Sequence, residues 1–234
     1  MAGLDDIPPV LDPARYPGNR PASDFVLGGG RIDPLPADPT ECLAGRHTVV
    51  AFGSNAAPAQ LAAKFGTSTG TIVVTRARLH GFAVGHSPHV SIPGYVPWVL
   101  VHAPGSAIDC ALLWLDDRQR RVLDATEPNY QLRPVDGDRY PLVVRATGAA
   151  VGYAAYRGRW GALRWPGDER PAGATTQAAV FGRLRTFSWF RDLVGDGGLR
   201  ATQERLARDS RLRDRFRDEL LARQMVLPDR WAEK

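Results

Sequence analysis

The stretch His47-Thr48-Val49-Val50-Ala51-Phe52-Gly53-Ser54-Asn55 joins an apolar, β-branched run to an abrupt polar turn. The run predicts a buried strand, and Gly-Ser-Asn predicts the turn that ends it. Pro58, a favourable first helical residue, follows closely and predicts a helix over residues 58–65. A turn between a strand and a helix can aim successive backbone N–H groups at a carboxylate or an oxyanion. We therefore expect an anion-binding turn here. Its residues are Ala51, Phe52, Gly53, Ser54 and Asn55.

A single glutamate, Glu127, follows a second short helical pattern further along the chain. This pattern predicts a helix over residues 117–126, with Asp116 as its N-cap. Pro128 biases the residue before it away from helical geometry, so the helix should end there and present the carboxylate to a cavity. Among apolar neighbours, such a carboxylate suits a general base. The alternative is an ordinary surface glutamate at a helix end.

The turn and the glutamate, in that order, resemble the γ-glutamyl cyclotransferase-like superfamily. Its members carry an aromatic-Gly-Ser-Asn turn after the first strand and a later Leu-Asp-x-x-Glu segment, often with a tyrosine close behind. The matching residues are Phe52-Gly53-Ser54-Asn55, Leu123-Asp124 with Glu127, and Tyr130. The resemblance covers roughly residues 46 to 160. Phe52 replaces the usual tyrosine, Ala111 a small glycine, and Pro128 the glycine that usually follows the glutamate.

The resemblance implies an intramolecular aminolysis, in which a γ-glutamyl amide releases 5-oxoproline and a free amine or amino acid. Glu127 would be the catalytic general base, and residues 51–55 would bind the substrate. Tyr130 and Tyr156 are further substrate-binding candidates through their hydroxyl groups, or else strand tyrosines with their rings in the core. The implied partner is a small-molecule γ-glutamyl substrate, and neither a cofactor nor a metal is implied.

Two other functions remain open at this stage. One is a non-catalytic small-molecule-binding protein of the same fold, which a Glu127 buried in a salt bridge with an arginine such as Arg133 would favour. The other is an amide-cleaving or acyl-transfer enzyme of a specialised pathway, which a pocket much larger than a glutamyl group would favour. Ala111 and Pro128 would reshape the pocket, so the substrate need not be a common γ-glutamyl dipeptide.

The distribution of strand, helix and proline signals predicts three regions. Residues 1–45 form a Pro-rich N-terminal extension, which is either packed over the core or partly disordered. Residues 46–180 form the cyclotransferase-like core, with two short helices and with short strands predicted over 47–52, 71–76, 78–84, 98–103, 108–115, 141–146 and 151–156. Residues 181–234 form C-terminal helices whose apolar stripe would pack on the core; the stripe consists of Leu206, Leu212, Phe216, Leu220 and Leu221. The expected fold is therefore α+β, a small mixed β-barrel flanked by helices.

The bulk composition excludes several classes of protein. With 44% hydrophobic and 24% charged residues, the 234-residue chain predicts an ordinary globular protein. Residues 181–234 carry much of the net charge of +5, but acid-to-base i,i+4 pairs such as Glu204 and Arg208 indicate a solvated helix face rather than a nucleic-acid surface. No membrane span, secretory signal, disulfide framework or metal-ligand spacing is recognisable. We expect a cytoplasmic protein of open oligomeric state, with a homodimer as one option.

Overall fold

An eight-stranded mixed sheet forms the frame of the molecule, which is described by a computed structural model for residue 4, residues 6–67 and residues 70–231. Its strands are β1 (Phe25–Gly28), β2 (Arg31–Pro34), β3 (His47–Ala51), β4 (Ile72–His86), β5 (Trp98–Leu115), β6 (Tyr130–Pro134), β7 (Leu142–Val144) and β8 (Ala154–Gly158). The strand order is β2-β1-β4-β5-β3-β8-β6, with β7 also paired to β4. The predicted small barrel is not found, because this order is an open path whose end strands, β2 and β6, do not pair within the described residues.

Helices cover the sheet and fill the C-terminal region. They are α1 (Thr40–Leu43), α2 (Pro58–Phe65), α3 (Asp117–Ala125), α4 (Gln177–Leu184), α5 (Ser188–Val194), α6 (Leu199–Arg208) and α7 (Ser210–Ala222). The helix predicted over 58–65 is confirmed with both bounds, and α3 ends one residue before its predicted bound. The predicted N-cap of α3, Asp116, is confirmed. Its carboxylate accepts from Gln119 N at 2.7 Å, and Asp116 N donates to Gln119 Oε1 at 3.0 Å, which is a capping box.

The central hairpin β4–β5 is longer than the sequence predicted. The runs over 71–76 and 78–84 merge into β4, and those over 98–103 and 108–115 merge into β5. The register of the hairpin shifts at Gly81, which has a φ of +79°: His80 pairs with Ala107, whereas Phe82 pairs with His102. Residues 103–106, which include Pro104-Gly105, therefore bulge out of β5 without ending the hairpin. The last part of this hairpin, in which residues 82–86 pair with residues 98–102, leads into the 87–97 loop.

The Pro-rich N-terminal extension packs on the core along its described residues. Tyr16 is 5% exposed, and Val10 N donates to Gln60 Oε1 at 3.2 Å. Arg20 donates to the Phe52 carbonyl at 3.0 Å, next to the Gly-Ser-Asn turn. The extension then supplies β1, which pairs antiparallel with β4. Of the two expected arrangements, the structure shows the packed one.

The C-terminal helices build an apolar core of their own beside the two that involve the sheet. Their predicted stripe is confirmed at Leu206, Leu212, Phe216 and Leu220, which are buried. Leu221 was expected on the same stripe but is 52% exposed. It follows the buried Leu220 directly, and successive residues of a helix point about 100° apart, so Leu221 faces solvent. Strands β9 (Ala162–Leu163) and β10 (Val226–Leu227) pair beneath these helices. Within the described residues, no helix combines the length and apolarity needed to cross a membrane.

We expect Tyr16→Ala to lower the free energy of unfolding by about 3 kcal/mol or more, because it removes a buried aromatic ring from the site where the extension packs on the core. Leu11→Ala, in the same extension but 75% exposed, should change it by less than about 0.5 kcal/mol. Urea denaturation of both variants measures the difference. Equal, small effects would show that the extension is not docked in solution.

Candidate active site

One cavity of about 420 Å³ lies where the turn after β3, the segment after α3 and the 87–97 loop meet. All eight residues predicted to form the site line it. They are Ala51, Phe52, Gly53, Ser54, Asn55, Glu127, Tyr130 and Tyr156. The pairing of β3 with β5 explains this meeting: the antiparallel register sets Ala51 opposite Ala111, and β5 then leads directly into α3. The size is within the range of about 300–1,000 Å³ that is usual for small-molecule sites.

Glu127 is held in place by two side chains of the turn and of α2. Its Oε1 accepts from Asn55 Nδ2 at 2.9 Å and from Lys64 Nζ at 2.6 Å. Lys64 also donates to Asn55 Oδ1 at 2.8 Å, which closes a three-membered network. The side chains of Glu127 and Lys64 are only 15% and 12% exposed. No described residue donates to Oε2 of Glu127, so one carboxylate oxygen is committed to the network and the other is available to a ligand.

The Gly-Ser-Asn turn lines the same cavity and carries backbone donors without an acceptor among the described residues. Residues Ser54–Ala56 form a short 3₁₀ turn in which Ala56 N donates to the Gly53 carbonyl at 3.1 Å. The N–H groups of Gly53, Ser54 and Asn55 donate to no acceptor in the described part of the chain. Buried backbone donors are nearly always paired, so successive unpaired N–H groups beside a cavity are suited to an anionic ligand.

Aromatic residues from three segments enclose this network. Tyr16 stacks on Tyr95 with ring centroids 4.3 Å apart and meets Trp98 edge-on. The Trp98 backbone is held on both sides, since its N–H donates to Tyr16 Oη at 2.8 Å and its carbonyl accepts from Tyr130 Oη at 2.9 Å. Burial and, to a smaller extent, the negative charge of Glu127 raise the pKa of Tyr95, hydrogen bonds with Ser54 and Ser91 oppose the rise, and the resulting pKa is about 12. Tyr95 therefore keeps its proton near neutral pH.

The two predicted tyrosines are placed in the cavity with their hydroxyl groups already engaged. Tyr130 donates to the Trp98 carbonyl, and Tyr156 donates to Asp124 Oδ1 at 2.6 Å. Burial raises the pKa of Tyr130 and of Tyr156, and in Tyr156 the hydrogen bond with Asp124 adds to it. Their rings thus form the wall of the cavity, and their hydroxyls brace it.

The departures from the superfamily pattern differ in their consequences. Phe52 and Pro128 line the cavity, so they bear on its shape directly. Ala111 lies in the apolar core beneath the sheet, is 1% exposed and is not part of the lining. The substitution at Ala111 was expected to reshape the pocket, but its position affects packing instead.

Several lining residues could not be foreseen from the sequence motifs. Lys64 lies on α2, after the turn that contains Asn55. Its partner Glu127 is recognisable only once α2 is seen to pack against α3 and the segment that follows it. Tyr16 lies in the Pro-rich extension, where no motif marks it. His89 belongs to no motif, although Ser87, two residues earlier in the chain, is its hydrogen-bond partner.

A larger groove of about 870 Å³ shares Tyr130 and Tyr156 with this cavity as lining residues. Arginines dominate its charged lining, which consists of Arg46, Arg120, Arg133, Arg159, His47 and Asp124. It contains neither Glu127 nor the turn, so the smaller cavity is the candidate site. Among the described residues, no group of three or more His, Cys, Asp or Glu side chains could hold a metal ion.

Comparison with solved structures finds several neighbours. One is titled gamma-glutamyl cyclotransferase, with 12% identity, a TM-score of 0.41, and coverage of 80% of this chain and 92% of that one. An uncharacterized protein from Homo sapiens has 13% identity, a TM-score of 0.39 and the same coverage. A protein from Arabidopsis thaliana has 18% identity, a TM-score of 0.40, and coverage of 63% and 81%.

No protein-family profile and no curated protein sequence matches this chain. The structural similarities, at identities below 20% and TM-scores near 0.4, do not carry the activity or substrate of those proteins over to this one.

We expect Gly53→Ala to lower the free energy of unfolding by about 1–3 kcal/mol, because the new methyl group would lie 2.6 Å from Tyr16 Oη. Gly152→Ala is the matched control, since a methyl group there meets nothing within 4 Å. Tyr16→Phe removes the clashing hydroxyl, so Gly53→Ala should cost less in that background. Denaturation of the wild type, the two single variants and the double variant gives the coupling free energy between Gly53→Ala and Tyr16→Phe, and Gly152→Ala is measured beside them. An equal cost of Gly53→Ala in both backgrounds would contradict the close approach of Tyr16 to the turn.

Proposed function

We propose that this protein is an enzyme of the γ-glutamyl cyclotransferase type, which converts a γ-glutamyl amide into 5-oxoproline and a free amine or amino acid. The observation that carries the proposal is the Glu127 carboxylate. One of its oxygens is fixed by Asn55 and Lys64, and the other is free to act on a ligand in the same cavity. The unpaired N–H groups of the turn lie along that cavity and supply donors for a substrate anion.

The reaction needs little beyond such an arrangement. The α-amine of the glutamyl group attacks its own γ-carbonyl carbon, and the carbonyl π electrons move onto oxygen. Glu127 takes the proton that the attacking nitrogen loses. When the carbon–nitrogen bond to the leaving amine breaks, Glu127 returns that proton to the departing nitrogen. Because nucleophile and electrophile belong to one molecule, effective molarities of about 10⁵–10⁸ M are attainable once the chain is held in a bent conformation.

The rest of the cavity favours a leaving amine with apolar character. Beyond the network of Glu127, the lining is mainly aromatic and aliphatic, with Tyr16, Tyr95 and Trp98 on one side. Ile92, 63% exposed, also lines the cavity and offers apolar surface where it opens to solvent. Burying apolar surface of the leaving group there would contribute about 25 cal/mol per Å² to binding.

A second candidate function is a non-catalytic binding protein with the same cavity. The ion pair between Lys64 and Glu127 favours it, because a carboxylate held at 2.6 Å by a lysine can be purely structural. The partner is Lys64 rather than the arginine that the sequence suggested for this case. The two functions differ in outcome: a binding protein would retain a γ-glutamyl ligand unchanged, whereas an enzyme would release 5-oxoproline from it.

We expect Glu127→Gln to lower the rate of 5-oxoproline release by about 10²–10⁴-fold, because it removes the proton acceptor while keeping the side-chain shape. A coupled assay on γ-glutamyl dipeptides, γ-glutamylamines and glutathione measures this. Glu169→Gln, which replaces an exposed glutamate outside the cavity, is the matched control and should retain full activity.

Two outcomes of the assay would count against the proposal. If the wild-type protein releases no 5-oxoproline from any substrate but binds one of them, the second candidate function is correct. If thermal denaturation shows that Glu127→Gln has lost its folded structure together with its activity, the role of Glu127 is structural rather than catalytic.

A further inference from the structure

His89 and Ser87 form a buried pair beside the candidate active site. Ser87 Oγ lies 2.7 Å from His89 Nδ1, and the two residues are 0% and 4% exposed. His89 contributes to the wall of the cavity that contains Glu127, and its ring meets the Tyr130 ring edge-on at 6.0 Å between centroids. Neither the turn nor the glutamate network uses this histidine.

Hydrogen-bond satisfaction determines which nitrogen of His89 carries the proton. Ser87 Oγ has His89 Nδ1 as its one hydrogen-bond partner among the described residues. If Nδ1 were the donor, the buried hydroxyl proton of Ser87 would have no acceptor, which costs about 1–3 kcal/mol. The hydroxyl therefore donates to Nδ1, and the ring proton resides on Nε2. Nε2 has no partner in the described part of the chain, and His89 lines the cavity, so this N–H can serve a molecule bound there.

The imidazole is neutral and rigidly positioned. Burial lowers the pKa of His89 to about 3, and the positive charge of Arg217 on α7 acts in the same direction. Ser87 N donates to the Pro97 carbonyl at 2.8 Å, which joins the two ends of the loop. Gln177 on α4 then pairs with both backbone groups of Val96, at 2.8 and 2.9 Å. A donor held in this way needs no reorganisation during a reaction.

We propose that the Nε2–H group of His89 donates a hydrogen bond to the γ-carbonyl oxygen of the substrate and stabilises the oxyanion formed when the α-amine attacks. This inference rests on the proposed function and adds a catalytic residue to it. The imidazole stays neutral throughout: it gives no proton away, and the electron pair that leaves the carbonyl π bond is met by its N–H dipole. A neutral imidazole is able to polarise a carbonyl in this manner.

This assignment divides the donors of the cavity between two substrate groups. His89 serves the reacting carbonyl, which leaves the N–H groups of Gly53, Ser54 and Asn55 for the α-carboxylate of the glutamyl group. Glu127 accepts the proton of the attacking amine. Ser87 is then a positioning residue, because it fixes the tautomer of His89 without touching the substrate.

The experiment combines kinetics with nitrogen NMR. His89→Phe should lower kcat for 5-oxoproline release by about 10²–10³-fold with a small change in KM, as expected for the loss of an oxyanion donor. His89→Gln, whose amide can donate from a similar place, should recover part of that loss. His102→Phe, which alters a histidine outside the cavity, is the matched control and should keep its activity.

In ¹⁵N-labelled wild-type protein, His89 should appear as the neutral Nε2–H tautomer from pH 5 to 9, and Ser87→Ala should weaken that preference.

Each failure has its own signature. An Nδ1–H tautomer or a charged imidazole in the wild-type spectrum would overturn the assignment of His89, whatever the kinetics. A His89→Phe variant as active as wild type, alongside an inactive Glu127→Gln, would overturn this inference and leave the proposed function standing. A wild-type protein that turns over no γ-glutamyl amide would overturn both.

Discussion

The hydrogen bond from Asn55 to Glu127 joins two segments that lie 72 positions apart in the chain, and the candidate site depends on it. The sheet makes the contact possible. Because β3 and β5 are antiparallel neighbours, the end of β3 lies opposite the middle of β5, and β5 leads into α3. A short helix is enough to bring the chain back to the turn. Lys64 on α2 completes the network, so the turn and α2 both donate to one carboxylate oxygen of Glu127.

The second constraint is the enclosure of this network by aromatic side chains. Tyr16 comes from the N-terminal extension, Tyr95 and Trp98 come from the loop and start of β5, and Tyr130 begins β6. The backbone of Trp98 is bonded to two of these hydroxyl groups. Excluding water around a carboxylate strengthens its interactions with neighbouring charges and dipoles. The extension is therefore part of the cavity wall rather than an appendage.

The sequence predicted features that depend on local chemistry. Gly53-Ser54-Asn55 marked the turn, Asp116 marked the start of α3, and Pro128 marked the place where Glu127 leaves helical geometry. These signals depend on a few neighbouring residues, which is why they could be read from the chain alone.

Features that depend on distant pairing were missed or wrong. The strands predicted over 71–76 and 78–84 are one strand, and so are the two that Pro104-Gly105 was expected to separate, because a register shift at Gly81 keeps the hairpin paired on both sides of the irregularity. The predicted barrel is an open sheet, since closure depends on which edge strands meet. The partners of Lys64, Tyr16 and His89 are set by how α2, the extension and the 87–97 loop pack, and no spacing within one segment encodes that.

A crystal structure with 5-oxoproline bound is the most direct test of the account, because the product carries the lactam and the carboxylate that the cavity is proposed to recognise. We expect the product carboxylate against the N–H groups of Gly53, Ser54 and Asn55, its ring N–H beside Oε2 of Glu127, and its lactam oxygen at Nε2 of His89. Binding in the arginine-lined groove, or in the cavity with the carboxylate away from the turn, would contradict the account.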